Sequence, residues 1–174
     1  MSTLETRRLI LRLFTESDLE SYAQMCCDTE VMRFLGGRTW TRGESWRQIA
    51  AILGHWQLLG YGMWALEDRQ TGAFVGRVGF IDPPGWPGFE LGWALARPFW
   101  GQGLAFEAAQ VALEHAFLKL DREHVISLIH PDNTRSLALA KRLGEQFERT
   151  VDFFGDEVDV YGIDKASWEA AGVA

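Results

Sequence analysis

The sequence predicts an α/β fold of the α+β type, with one domain over residues 1–174. Three observations predict it. Strand-like and helix-like segments follow one another in the order β-α-α-β-β-β-α-β-α-β-β. Two strand pairs are joined by short turn sequences, Asp68–Gly72 and Gly155-Asp156, and read as hairpins. One strand runs through a glycine-bearing turn directly into an amphipathic helix, in the stretch FELGWALARPFWGQGLAF from Phe89 to Phe106.

Each element has its own signal. Leu4 to Phe14 is β-leaning, with Leu9, Leu11 and Leu13 on one side and Arg8, Ile10 and Arg12 on the other. Glu16, Ser17 and Asp18 start a helix that runs to about Cys27. Gly36-Gly37 breaks the chain. Thr41 caps a second helix through Trp46, Ile49, Ile52, Leu53 and Trp56, ending near Gly60. Met63–Glu67 and Phe74–Ile81 form the first hairpin. The Pro/Gly-rich segment Pro83–Gly88 is a stiff loop. Glu90–Leu95 is the strand before the glycine turn, and the helix after it runs from about Gly103 to Leu118. Val125–Ile129 is a strand. Pro131-Asp132-Asn133 then leads into a helix from Thr134 to Leu143, stopped by Gly144. Phe147–Phe153 and Val158–Ile163 form the last hairpin. The chain shows no internal repeat, low-complexity tract or linker.

Composition narrows the function classes. A chain of 174 residues buries a sizeable core. Its net charge of −7 argues against non-specific nucleic-acid binding and suits a cationic substrate such as an amine. No run is long enough to span a membrane, and Met1 opens no signal segment. Cys26 and Cys27 are adjacent, so they form no relaxed disulfide with each other. This fits a cytoplasmic protein. His115 and His124 lack a third partner at ligand spacing, so no metal is expected.

The turn Trp100-Gly101-Gln102-Gly103-Leu104-Ala105 reads as a main-chain phosphate cradle. Its glycines allow close approach, and the following helix aims its free N–H groups at the same point. A P-loop would need Gly-Lys-Ser/Thr here, whereas Gly103 is followed by Leu104 and Ala105. A dinucleotide fingerprint would need a small residue where Phe106 stands. The third option is the pyrophosphate of coenzyme A.

An apolar strand, this glycine turn and a helix together resemble motif A of the GCN5-related N-acetyltransferases (GNAT). The turn, followed by Glu107 and Ala108, is similar to the ribosomal-protein and N-terminal (RimJ/RimL-like) subgroup. So are the opening LETRRLILRLFTESDLESY, the strands GYGMWAL and VGRVGF, and the segment PDNTRSLALAKRLG. The sequence departs from motif A at Pro98, where a basic or amide residue is expected, with Arg97 one step further back. The resemblance implies a mixed, mostly antiparallel sheet with about four helices. That sheet would splay open between Glu90–Leu95 and Val125–Ile129. It implies an acetyl-CoA-dependent N-acetyltransferase acting on a primary amine, a protein N-terminus or a small molecule, by direct transfer. Acetyl-CoA is then the co-substrate, no metal is needed, and a homodimer is the assembly suggested.

The resemblance also assigns residues. A bulged strand at Trp93, Ala94 and Leu95 would expose amides to the pantetheine arm and thioester. The amides from Trp100 to Ala105 would hold the pyrophosphate. Asn133 would bond the pantetheine arm, although an N-cap for the next helix also explains it. Ser136 occupies the place of a hydroxyl that protonates the departing thiolate. Glu90, Asp152 and His130 are the base candidates; Glu90 and Asp152 come from the resemblance, and His130 from its position and ordinary pKa. Lys141 and Arg142 could reach phosphates, and Tyr161 could serve as an acid. Trp86 is the tryptophan placed to face an acceptor. Two other classes stay open: a non-catalytic acyl-CoA-binding sensor of the same fold, and a dinucleotide-binding oxidoreductase.

Overall fold

The computed structural model describes residues 3–172. An eight-stranded sheet runs in the order β1-β2-β3-β4-β5-β6-β8-β7. Its strands are β1 (Leu4–Glu5), β2 (Leu9–Arg12), β3 (Met63–Asp68), β4 (Phe74–Ile81), β5 (Glu90–Leu95), β6 (His124–Ile129), β7 (Gln146–Phe153) and β8 (Asp156–Asp164). Six helices accompany it: α1 (Leu19–Cys26), α2 (Thr29–Met32), α3 (Arg42–Leu59), α4 (Leu104–Leu118), α5 (Thr134–Leu143) and α6 (Lys165–Ala170). Strands β3, β4 and β5 and helices α4 and α5 fall where the alternation and caps predict them. Short α2 and α6 go beyond the expected helices, because four- and six-residue helices show too little periodicity to read.

The expected strand Leu4–Phe14 is two strands. Thr6 Oγ1 accepts from Leu9 N–H at 2.9 Å and turns the chain between them. Helix α3 follows a capping box: Thr41 accepts from Glu44 N–H, and Glu44 accepts from Thr41 N–H at 2.8 Å. It ends at Gly60 with φ +78°, in the left-handed region. The expected helix from Glu16 begins instead as a single 3₁₀ turn, Glu16–Asp18, that feeds α1.

Apolar positions then assemble the core. Leu19, Tyr22, Met25 and Cys26 share one face of α1, and Ile49, Ile52 and Trp56 one face of α3; the two helices pack together. Helix α4 buries Ala108, Ala109, Ala112 and Ala116. These small residues let its backbone run close along β2, β4 and β5. Trp56 and Trp64 are buried and meet edge to face at 5.1 Å. Packing therefore consumes them, while Trp46 stays exposed.

The sheet is antiparallel at every contact except β5–β6. Those strands run parallel and share a single register pair, Glu90 with Ile126. Ile126 N–H donates to Phe89 O at 3.0 Å, and beyond Glu90 the strands part. The antiparallel ladder of β5 with β4 continues unbroken from Glu90 to Leu95. The opening thus comes from the parting of two strands, and the bulge expected at Trp93–Leu95 does not occur.

Candidate functional site

The split exposes main chain. In the β4–β5 ladder Ala96 N–H donates to Val75 O, so alternate residues of β5 turn their backbone groups toward β4. Ala94 is one of these. Trp93 and Leu95 turn theirs the other way, into the gap. Leu95 O is taken by the indole of Trp100 at 2.7 Å. The N–H groups of Trp93 and Leu95 are left facing the gap.

The chain then makes a 3₁₀ turn, Arg97–Phe99, and enters the glycine turn. Gly101 (φ +73°) and Gly103 (φ +76°) both hold left-handed backbone, which costs any residue with a Cβ about 1–2 kcal/mol. Gly103 is the N-cap of α4, so the first N–H groups of a 15-residue helix point out of the turn. Gln102 folds back to donate to Pro98 O at 2.9 Å. Arg8 braces the turn from outside. It donates to Gln102 O at 2.8 Å and pairs with Glu107 at 2.6 Å.

Helix α5 forms the opposite wall. Asn133 is its N-cap, and its Oδ1 accepts from Ser136 N–H at 3.2 Å. Ser136 faces β5 across the gap, where its Oγ accepts from Trp93 Nε1 at 3.1 Å. Arg135 lies over the Trp100 ring at 4.3 Å, and Arg142 over Phe106 at 3.8 Å.

These elements enclose a cleft of about 560 Å³. Trp93, Ala94, Leu95, Trp100, Gly101, Gly103, Leu104, Ala105, Asn133 and Ser136 all line it. Gln102 does not. The cleft also takes in Arg33 and Phe34 beyond α2, together with Arg135 and Arg142 from α5. Three guanidinium groups, helix-end amides and a strand edge with free N–H groups form one donor surface. That donor set fits a long, polyanionic thioester such as acetyl-CoA.

The base candidates separate. Glu90 sits at the fork where β5 leaves β6. Its carboxylate accepts from Trp86 Nε1 at 2.5 Å and from Leu128 N–H. Burial pushes its pKa up to about 7. His130 follows β6 and sits beside Phe34, ring to ring at 5.2 Å, and its Nδ1 accepts from Asp132 N–H at 3.1 Å. Asp152 is exposed in the last hairpin, where its Oδ1 accepts from Gly155 N–H at 3.2 Å. That bond gives Asp152 a turn-forming role away from the cleft walls. Tyr161 is buried against Ile129 and Ala140.

Sequence reasoning passed over Arg8, Arg33, Phe34, Arg135 and the buried Glu145. Arg135 carried a readable signal, since it stands in the first turn of a helix whose N-terminus faces the glycine turn. Arg8 carried none, because its partner Glu107 lies 99 residues away. Among the described residues no group of His, Cys, Asp or Glu is placed to hold a metal ion, and no helix is long and apolar enough to cross a membrane.

Residues 8–146 match the family model described as an acetyltransferase (GNAT) domain. The uncharacterized N-acetyltransferase p20 of Bacillus licheniformis is 28% identical, over 99% of this chain and 100% of its own length. The crystal structure of an acetyltransferase from Agrobacterium tumefaciens superposes with a TM-score of 0.84 at 27% identity, covering 94% of each chain. RimL, a ribosomal-protein acetyltransferase solved in complex with coenzyme A, shares the fold at a TM-score of 0.78 and 20% identity, covering 94% of this chain and 98% of its own. A split parallel strand pair, a glycine turn on a helix N-terminus and a matching family model over most of the chain agree: this chain belongs to the GNAT acetyltransferase family and is an N-acetyltransferase.

Proposed function

We propose that the chain moves an acetyl group from acetyl-CoA directly to a primary amine, on a protein N-terminus or a small molecule. The observation that carries this reading is the pairing of the open β5 edge with Ser136 across one cleft. The N–H groups of Trp93 and Leu95 face the place where a thioester carbonyl would develop negative charge. The amides from Gly101 to Ala105, with Arg135 and Arg142, would hold the phosphates. Acetyl-CoA supplies the activated acyl group and a thiolate leaving group.

The remaining work falls to side chains. An alkylamine is mostly protonated at neutral pH, so a proton must leave it before attack. Glu90, with a pKa near 7, is matched to accept that proton through water at its carboxylate oxygens. Ser136 Oγ–H would pass its proton to the departing sulfur, with Trp93 Nε1 fixing the oxygen. Nitrogen gains the acyl carbon and sulfur loses it; the second proton that the nitrogen sheds after attack restores the Ser136 hydroxyl, and the one taken by Glu90 passes to solvent. His130 at the rim is the second base in this reading, and the acidic last hairpin attracts a cationic acceptor.

Calorimetric titration with acetyl-CoA tests the cofactor, with Gly103→Trp as the disrupted control. Saturable binding lost in the variant supports the reading. Turnover is then followed as free thiol released on a panel of peptide N-termini and small amines. Tight binding with no acyl transfer to any amine would leave the chain a sensor of acyl-CoA.

A further inference from the structure

The fork of the sheet holds a second carboxylate that the proposed chemistry does not use. Glu145 is wholly buried. It follows Gly144 in a turn that ends α5, where Gly144 N–H reaches Lys141 O and Glu145 N–H reaches Ala140 O at 3.0 Å. In such a turn this position normally carries an apolar residue that packs back on the helix. The acid here has a different partner. Its Oε1 lies 3.0 Å from Ser127 Oγ, and the same Oγ lies 2.9 Å from Leu91 O.

The ladder explains why these three atoms meet. After Ile126 N–H to Phe89 O, the next parallel rung would be Leu128 N–H to Leu91 O. That rung is missing. Leu128 N–H goes to the Glu90 carboxylate, and Leu91 O takes the Ser127 hydroxyl instead. Two side chains therefore end the ladder, one on each strand.

Hydrogen counting then decides the state of Glu145. A serine hydroxyl has one hydrogen, and both a carbonyl and a carboxylate only accept. With Glu145 ionised, one of the two short contacts has no proton in it, and Oε2, which is buried without a partner, carries charge. With Glu145 neutral, its O–H donates to Ser127 Oγ, Ser127 donates to Leu91 O, and Oε2 is an uncharged carbonyl. Burial drives the pKa upward to about 8, and the negative charges of Glu90 on β5 and Glu148 on β7 act in the same direction. Glu148 is itself paired with His124 of β6 and Arg149 of β7.

We propose that neutral Glu145 is a positioning residue: through Ser127 it tethers Leu91, two residues before Trp93, and so sets the opening of the cleft. Losing its proton to solvent turns the Ser127 hydrogen from Leu91 O to Glu145 and frees β5 at the fork. This rests on the cleft being the acetyl-CoA site.

The decisive variant is Glu145→Gln, whose amide N–H2 donates to Ser127 at every pH. The native chain should bind acetyl-CoA about five-fold more weakly at about pH 9.5 than at about pH 7, while Glu145→Gln stays flat. Ser127→Ala should bind weakly at both, with its folding checked by thermal melting. In a Glu90→Gln background, which removes the other buried acid, the infrared band of a protonated carboxylic acid should persist near neutral pH in the unliganded protein and vanish when Glu145→Gln is added. No such band, or equal pH dependence in native and Glu145→Gln, overturns the proposal. Absence of acetyl-CoA binding at any pH overturns the cofactor reading instead, and with it the role given to Glu145 at the cleft.

Discussion

Trp93 and Ser136 stand on opposite walls of the split and are joined by one hydrogen bond, indole N–H to hydroxyl oxygen at 3.1 Å. The donor is on β5 and the acceptor on α5, 43 residues later. The bond uses a lone pair of Ser136 and leaves its hydrogen to point elsewhere. In the proposed reaction that hydrogen would go to a sulfur between the walls.

Ser136→Ala removes that donor. We expect kcat to fall about 10- to 100-fold with little change in KM for acetyl-CoA. Trp93→Phe keeps the ring and removes the N–H, so it should lower kcat by a smaller factor. Steady-state kinetics on both variants checks this. An unchanged kcat in Ser136→Ala would show that the thiolate leaves unaided.

Glu90 predicts a pH profile. A base works in its ionised form, so kcat/KM should rise as pH passes through about 7 and flatten above it. Glu90→Gln should abolish the rise and lower the plateau. The stability effect has the opposite sense. The folded pKa lies above the ordinary value of 4.5, so the fold is favoured by neutral Glu90 at low pH and loses that stability as pH rises through about 7. Glu90→Gln should therefore melt higher than the native chain above neutral pH, a difference that thermal scans at two pH values would read.

Gly103→Ala separates space from conformation. A Cβ there would meet only Arg8 Nη2 at 3.6 Å, an ordinary contact, so the penalty comes from φ +76°. We expect a loss of about 1–2 kcal/mol in urea unfolding. Acetyl-CoA binding should weaken at least as much, because the strained turn carries the amides that line the cleft. Full binding in a destabilised variant would show that those amides do not hold the ligand.

Much of this arrangement was legible before folding because it is local. The glycine turn, the cap at Asn133 and the strand Glu90–Leu95 each lie within a few residues of their own signals. What was not legible depends on strands meeting across the chain. The bond from Gly155 N–H to Asp152, one of the base candidates, exists only once the last hairpin has closed. Ser127 and Glu145 carry no local signal of a shared role. Only the missing rung between β5 and β6 brings them to Leu91. The expected bulge failed for the same reason, since the parting of strands is a property of two segments more than 30 residues apart.

The base of the first helix supplies a last test, on stability alone. Asp18 is buried and takes both nitrogens of Arg12, at 2.7 and 2.8 Å, while also accepting from Thr15 N–H at 2.8 Å. Arg12 reaches Glu67 on the neighbouring strand at 2.6 Å. The network ties β2, β3 and the entry to α1 through a bidentate pair. Burial alone would raise the Asp18 pKa, but the bonds from Arg12 and Thr15 outweigh it and hold the carboxyl below its ordinary value. The stability it contributes is present above the ordinary carboxylate range and is lost as pH falls through the folded pKa. Asp18→Asn keeps the shape but removes the charge opposite Arg12, so we expect a loss of about 2–4 kcal/mol in urea unfolding near neutral pH. The gap between native and variant should narrow as pH falls below the ordinary carboxylate range, where the unfolded chain takes up the proton that the folded carboxyl resists. A gap that does not change with pH would mean that packing and the Thr15 bond, and not the ion pair, hold the helix entry.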